Sequence, residues 1–160
     1  MKIDISIASQ TLCLLNDSGH TLKTYLISSG ARGVGERMGS FQTPRGQHRI
    51  RAKIGEGLPL GAVMRGRRPT GEICTTALMT AQPNRDWILT RILWLCGEEP
   101  GKNRGGQVDT MRRYIYIHGT PDSVRLGVPG SHGCIRMRNT DMVDLFDRVP
   151  VGTPVMIRED

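Results

Sequence analysis

The densest run of reactive residue types in the chain is Ser131-His132-Gly133-Cys134-Ile135-Arg136, and a second histidine, His118, stands 16 residues before the cysteine. A thiolate is a strong nucleophile, but an ordinary cysteine with a pKa of about 8.5 is mostly protonated at neutral pH. It needs a base or a cation beside it, and histidine is the usual partner. Two histidines are available. His118 closes a predicted strand, where a backbone carbonyl can hold one ring nitrogen. His132 lies two residues before Cys134, so in an extended chain their side chains share a face. Gly133 has no Cβ, which lets a substrate approach the backbone and leaves N–H groups for an oxyanion hole. Arg136 falls on the face of Cys134 if the segment is extended. There its charge favours the thiolate or holds a substrate carboxylate. Zinc is a weaker reading. His118, His132 and Cys134 supply three ligands, but the spacing fits no common zinc pattern and no fourth ligand stands nearby, so neither metal nor cofactor is expected.

The elements that must position these residues read mostly as strands. Ile3, Ile5 and Ile7 alternate with polar residues, Thr11–Leu15 follows as a neighbour, and the turn-rich Asn16-Asp17-Ser18-Gly19 leads into Thr21–Ser28. Residues 29–46 carry too many glycines for a helix and read as an extended loop. His48–Ile54 reads as a short basic strand, 55–72 as loop, Ile88–Cys96 as a buried strand, and Gly97–Thr110 as a long polar loop suited to rim a site. Arg113–His118 alternates, with Ile115 and Ile117 on one face and Tyr114, Tyr116 and His118 on the other. A helix capped by Asn139 or Thr140 places Met142, Leu145, Phe146 and Val149 at i, i+3, i+4 and i+7, and Pro150 stops it before a last strand, Thr153–Arg158. The expected fold is mainly β, a sandwich or barrel with one short helix near the C-terminus, formed as a single domain over residues 1–160.

Composition narrows the function classes. Lys and Arg total 22 against 15 Asp and Glu, a formal charge of +7, and 18 of the basic residues are arginine. Basic clusters occur at 45–53, at 65–68 and at Arg112/Arg113. Aromatic residues are only 4% of the chain, and no helix-turn-helix or zinc-finger pattern is present, which argues against a nucleic-acid partner. Guanidinium groups equally suit a substrate bearing several carboxylates. No apolar run is long enough for a membrane helix. Cys13, Cys74, Cys96 and Cys134 show no CxxC spacing and are expected as free thiols.

His118-Gly119-Thr120, followed by Cys134 within Ser131-His132-Gly133-Cys134-Ile135-Arg136-Met137, closely resembles the signature of the L,D-transpeptidase catalytic domain. Tyr25–Gly30, the Thr-Pro-x-Gly loop in Gly39–Gly46, and Val151-Gly152-Thr153-Pro154-Val155 extend the resemblance over nearly the whole chain. It implies a cysteine acyltransferase acting on peptidoglycan stem peptides. By this resemblance Cys134 is the nucleophile, His118 its base, and the Gly119 carbonyl orients the imidazole. Backbone N–H groups of His132, Gly133 and Cys134 stabilise the oxyanion, and Ser131 and Arg136 shape the site and contact substrate. The implied reaction attacks the L-centre carbonyl of diaminopimelate in a tetrapeptide and expels the terminal D-Ala. The N-terminus, Met1-Lys2-Ile3-Asp4-Ile5-Ser6, shows no leader. Hence the expectation is a cytoplasmic L,D-carboxypeptidase on soluble muropeptides, or a periplasmic protein if a leader has been removed. The alternatives are a true L,D-transpeptidase, which passes the acyl group to an amine, and, more distantly, a basic nucleic-acid-binding protein. A further expectation is that Arg136, with a group from Arg45–Arg51 or Arg65–Arg68, reads the substrate carboxylates.

Overall fold

The computed structural model describes all 160 residues. Alternating sequences form strands that bury one face: β1 (Lys2–Ser6) buries Ile3 and Ile5, and β2 (Thr11–Leu15) buries Leu12 and Leu14. The remaining elements are β3 (Thr21–Ser28), β4 (Gly46–Ile54), β5 (Ala62–Arg65), β6 (Arg68–Ile73), α1 (Thr76–Ala81), β7 (Ile88–Gly97), β8 (Tyr116–Thr120), β9 (Ile135–Arg138), α2 (Asn139–Arg148) and β10 (Pro154–Arg158). Neighbouring strands run β4-β10-β1-β2-β3-β9-β8-β7, and β7 pairs back onto β4, closing an eight-stranded barrel. Closure leaves these strands no free edge. Most neighbours are antiparallel, but β1 with β10 and β8 with β9 are parallel.

Nineteen buried apolar residues fill the barrel and the space beneath α2, among them Ile115, Ile117, Ile135 and Met137 from the site-bearing strands. Helix α2 contributes Met142, Leu145 and Phe146 to this core. Lys53 secures its C-terminal end, donating to the carbonyls of Phe146 and Val149 at 2.7 and 2.8 Å. A second cluster, Met64, Ile92 and Tyr116, lies on the outer face of the barrel wall, with Ile88, Trp94 and Cys134 packed against it. The β5–β6 hairpin attaches beside β7 through Val63↔Leu89 and Met64↔Ile88 and helps enclose this outer cluster. No helix is long and apolar enough to cross a membrane. All four cysteines are free.

Three local expectations change. The segment 55–72 is not all loop, because it holds β5 and β6. Gly66 and Arg67, at φ +56° and +65°, make the two-residue turn between Arg65 and Arg68, and two positive φ values are what a tight hairpin of this kind requires. Pro69 and Gly71 masked the strand, and both are tolerated because β6 is an edge. Strand β8 begins at Tyr116 rather than Arg113. Tyr114 is left-handed at φ +56°, and Asp109 accepts from the N–H groups of Gly105 and Arg112, turning the chain before it. At α2, Arg138 is the N-cap residue without a side-chain cap, while Asn139 is the first helical residue and Thr140 follows inside the helix. A further short helix, α1, is capped by Thr75 Oγ1 accepting from Leu78 N–H at 3.1 Å.

The barrel carries a buried histidine away from the cysteine. His48 on β4 pairs through Nδ1 with the Gly46 carbonyl and through Nε2 with Thr110 Oγ1, both at 2.9 Å. Burial pushes its pKa down to about 4, because desolvation disfavours the imidazolium more than the Gly46 carbonyl favours it. The unfolded chain therefore binds a proton between about pH 6.5 and 4 that the folded chain refuses. His48's stabilisation is complete above about pH 6.5 and is lost as the pH falls towards 4, amounting to about 3 kcal/mol at most. Urea denaturation across this window should show stability rising with pH, with a slope shallower by up to one proton in His48→Gln.

Candidate active site

The parallel pairing of β8 with β9 sets the site. Parallel neighbours need a long crossover, supplied here by residues 121–134. The register pairs Ile117 with Ile135 and His118 with Arg136. Ile117 and Ile135 enter the barrel core, so Tyr116, His118, Cys134 and Arg136 share the outer face. Cys134 stands just before β9, level with Tyr116, whose N–H donates to its Sγ at 3.3 Å. His118 and Cys134 are thus diagonal neighbours, one on each of two adjacent strands.

His118 is only 2% exposed. Its Nδ1 lies 2.6 Å from the Gly119 carbonyl oxygen. A carbonyl only accepts, so Nδ1 carries the hydrogen and Nε2 keeps a free lone pair. Position 119 must be glycine. A Cβ there would lie 2.7 Å from the Leu89 carbonyl oxygen and closer still to Asn139 Oδ1. Thr90, left-handed at φ +74° in an irregular stretch of β7, donates to that Asn139 oxygen at 2.7 Å and accepts from Gly61 N–H at 3.0 Å. The side chain of Asn139, expected as a helix cap, is held against the histidine strand instead.

The cysteine loop is fixed as tightly. Ser131 Oγ donates to the Cys134 carbonyl at 2.6 Å and accepts from Gly133 N–H at 3.1 Å. Thr43, of the Thr-Pro-x-Gly loop, donates to the Gly133 carbonyl at 2.9 Å and accepts from Gly30 N–H at 2.8 Å. Gly133 has φ +121°, and a Cβ there would approach the Gln42 carbonyl oxygen to 3.0 Å. With Gly133 N–H engaged by Ser131, the N–H groups of His132 and Cys134 are the ones left without a protein acceptor. These two can face a developing oxyanion.

Electrostatics make the resting pair neutral. Burial lowers the His118 pKa against the opposing effect of the Gly119 carbonyl. Burial also pushes the Cys134 thiol up to about 12, outweighing the Tyr116 N–H and the charges of Arg113 and Arg136. Arg136 favours the thiolate in the expected direction, but desolvation outweighs it. The thiol donates to the Tyr114 carbonyl at 3.4 Å and makes no hydrogen bond to His118, so it must rotate towards Nε2 to react.

Two cavities flank the cysteine. One, of about 290 Å³, is lined by Cys134, Arg113, Tyr114, Phe41, His132 and Asp86. The other, of about 300 Å³, is lined by Arg136, Ser131, Trp87, Thr120 and again His132 and Asp86. His132 is exposed and meets the Phe41 ring edge-on at 5.9 Å. Arg136 is half-buried and donates to Ser28 Oγ at 2.8 Å. Two arginines of the basic clusters at 65–68 and 112–113 take structural places here. Arg113 donates to the carbonyls of Gln42 and Gly35 at 2.6 and 3.2 Å, clamping the loop beside Cys134. Arg67, at the hairpin tip, lies over Trp94 and Tyr114 at 4.6 and 4.9 Å and donates to the Tyr116 hydroxyl at 3.0 Å. Asp86 follows an unpatterned polar turn. Arg45, by contrast, pairs with Glu36 and Glu159, and Arg49 with Glu98. None of Arg45, Arg49, Arg51, Arg65, Arg67 and Arg68 lines the two cavities beside the cysteine. The 97–110 loop does not line them either. It is anchored by Asn103, which donates to the carbonyls of Arg45 and Gln47 at 3.0 Å.

The family model of the L,D-transpeptidase catalytic domain (YkuD) matches residues 1–157. The chain belongs to this family. Among curated relatives of this L,D-transpeptidase domain, "Probable L,D-transpeptidase ErfK/SrfK" of Salmonella typhimurium is 34% identical over 114 residues, 64% of this chain and 37% of that protein. "Probable L,D-transpeptidase YbiS" of Escherichia coli is 46% identical over 48 residues, 30% of this chain and 16% of that protein. The chain thus aligns with well under half the length of these relatives. Solved structures share the fold. The L,D-transpeptidase (residues 123–326) from Xylanimonas cellulosilytica superposes with a TM-score of 0.55 at 21% identity, over 98% of this chain and 59% of that one. L,D-transpeptidase 3 from Mycobacterium tuberculosis gives 0.59 at 17% identity, over 98% and 60%.

The hydrogen bond that sets the His118 tautomer is testable. Gly119→Ala forces the β8 backbone away from Leu89 and displaces the imidazole. Acylation by a stem peptide, followed as released D-Ala, should fall by about 100-fold or more, while circular dichroism retains the β signal.

Proposed function

We propose that this L,D-transpeptidase-family domain forms a thioester between Cys134 and a peptidoglycan tetrapeptide, and that water then releases the tripeptide, an L,D-carboxypeptidase reaction. The observation that carries the reading is the His118–Gly119 hydrogen bond, which leaves Nε2 unprotonated on the same face as Cys134. As the sulfur attacks the carbonyl carbon, the thiol proton passes to Nε2. The N–H groups of His132 and Cys134 receive the developing oxyanion, each such donor being worth about 3–4 kcal/mol in the transition state. The C–N bond then breaks, and the His118 imidazolium protonates the departing D-Ala amine. Water, deprotonated by the regenerated imidazole, attacks the thioester and expels the thiolate, which recovers its proton from His118.

Small flanking cavities support the hydrolytic outcome, since they accommodate the reacting end of one stem and water needs no further site. A second reading, transfer to an amine of another stem, is favoured by a larger cavity of about 790 Å³. It meets the others at Asp86 and is walled by Met64, Arg65, Thr70 and Glu72 of the hairpin. Mass analysis of products from a disaccharide-tetrapeptide separates the two: disaccharide-tripeptide marks hydrolysis, and a cross-linked dimer marks transfer. Absence of both, or full activity in Cys134→Ala, contradicts the proposal.

The neutral resting pair has a kinetic signature. With the thiol pKa raised to about 12 and the His118 pKa lowered below 6.5, kcat/KM for D-Ala release should rise with pH as the imidazole loses its proton. It should then stay level through pH 9, with no second rise near 8.5 where an ordinary thiol ionises.

A further inference from the structure

Around the barrel wall from the cysteine, on the outer face of β7 and β4, lies a cavity that acyl transfer does not use. It measures about 320 Å³, and Arg49, Arg51, Arg104, Arg112, Asp109 and Cys96 are among its walls. None of its lining residues borders the two cavities beside Cys134. Three segments bring the guanidinium groups together. On the paired strands Ile50 and Leu95 enter the core, so their neighbours Arg49, Arg51 and Cys96 face outward. Arg104 comes from the 97–110 loop and Arg112 from the turn before β8. The frame beneath them is fixed. Asn103 and Thr110 are fully buried, Thr110 Oγ1 meets the His48 ring at 2.9 Å, and the Asn103 carbonyl accepts from Thr110 N–H at 2.9 Å. A Cβ on Gly97 would run into Asn103, so the loop lies directly against the end of β7.

The positive charge here is largely uncompensated. Arg49 pairs with Glu98 at 2.6 Å, but Arg51, Arg104 and Arg112 belong to none of the chain's ion pairs. The one carboxylate in the lining, Asp109, is turned to the backbone, its two oxygens accepting from the N–H groups of Gly105 and Arg112 at 2.7 and 2.9 Å. Burial raises the Cys96 thiol pKa, and the charges of Arg49, Arg51 and Arg104 oppose it, so three guanidinium groups bear on one sulfur in the cavity wall. Like charges repel, and holding them on a fixed frame costs stability that an anion in the cavity would restore. A carboxylate offers two coplanar oxygens, which a single guanidinium fork fills. A phosphate presents its oxygens in three dimensions and meets forks arriving from several segments. One phosphate group carries at most about two charges, so two linked phosphates better match three free arginines. No aromatic ring lines the cavity for a base to stack on. We propose that this cavity is a binding site for a diphosphate group, either free or at the end of a larger phosphorylated molecule. The site stands apart from the stem-peptide reading, since it shares no lining residue with the surroundings of Cys134.

The test is calorimetric titration of the full chain with inorganic pyrophosphate, without divalent cations and at about 0.15 M salt, which screens scattered surface charge. The wild type should bind one pyrophosphate per chain. Arg51→Gln and Arg104→Gln should each weaken binding by about 10-fold or more, as expected for losing one charge-assisted contact. Arg125→Gln removes the same charge from an exposed arginine outside the cavity and should leave the affinity unchanged. Arg51, Arg104 and Arg125 are all exposed, so the variants should keep the fold, which circular dichroism verifies. Citrate, a carboxylate of comparable charge, should bind at least about 10-fold more weakly than pyrophosphate. Uridine diphosphate separates the two sources of the ligand. Binding no tighter than pyrophosphate identifies the free diphosphate, and tighter binding identifies a larger molecule that carries it. Absence of pyrophosphate binding, unchanged affinity in Arg51→Gln and Arg104→Gln, or citrate binding as tightly overturns the proposal. So does loss of binding in Arg136→Gln instead, which would put the anion beside the cysteine. The titration involves no turnover, so each of these outcomes leaves the acyl-enzyme reading intact.

Discussion

The site depends on a parallel strand pair inside a barrel whose strands are otherwise mostly antiparallel. Had β8 and β9 been antiparallel, a two-residue turn would have joined them, and the histidine and cysteine would sit on a single hairpin. Parallel pairing imposes the crossover of residues 121–134 and returns the chain beside the strand it left. It returns with His132, Gly133 and Cys134 still outside the ladder, so the N–H groups of His132 and Cys134 are not spent on a neighbouring strand. The register then decides chemistry. Pairing Ile117 with Ile135 turns both into the core and leaves His118, Cys134 and Arg136 on the outer face. A slip by one residue would bury the nucleophile in the barrel.

Burial, rather than nearby positive charge, governs the reactive pair. Arg113 and Arg136 both favour a thiolate, yet desolvation outweighs them. Their guanidinium groups are also engaged elsewhere, Arg113 with carbonyls of the 35–42 loop and Arg136 with Ser28. The same dry surroundings keep His118 neutral and therefore basic. Proton transfer and sulfur attack are thus coupled, and no standing thiolate is exposed to oxidants or alkylating agents. Dryness comes from the outer cluster and the hairpin, with Arg67 fixing the tip onto Trp94, Tyr114 and Tyr116.

Much of this was legible in the sequence because it follows short-range rules. Strands β1, β2, β3 and β7 follow their apolar alternation or runs to within two residues, and the face on which His118 lies followed from Ile115 and Ile117. What was not legible depends on partners far along the chain. Thr43 meets Gly133 across 90 residues, and Thr90 meets Asn139 across 49. Neither contact leaves a local pattern. The β5–β6 hairpin was hidden because an exposed edge strand tolerates Pro69 and Gly71, residues that read as loop. Asp86 and Arg113 acquire meaning only from the cavities they line. The arginine excess divides in the same way. The clusters at 45–53 and 65–68 line neither cavity beside the cysteine, and the arginines that do include Arg113, from the 112–113 pair, and Arg136, which belongs to none of the clusters.

The central claim is that Cys134, among four free thiols, carries the acyl group. Intact-protein mass spectrometry after rapid acid quench of a reaction with tetrapeptide measures this directly, and peptide mapping then locates the adduct. The account predicts a mass increase equal to the tetrapeptide minus D-Ala, with the modification on the peptide containing Cys134. An adduct on Cys13, Cys74 or Cys96, or D-Ala release at full rate in a Cys134→Ala protein, would contradict it.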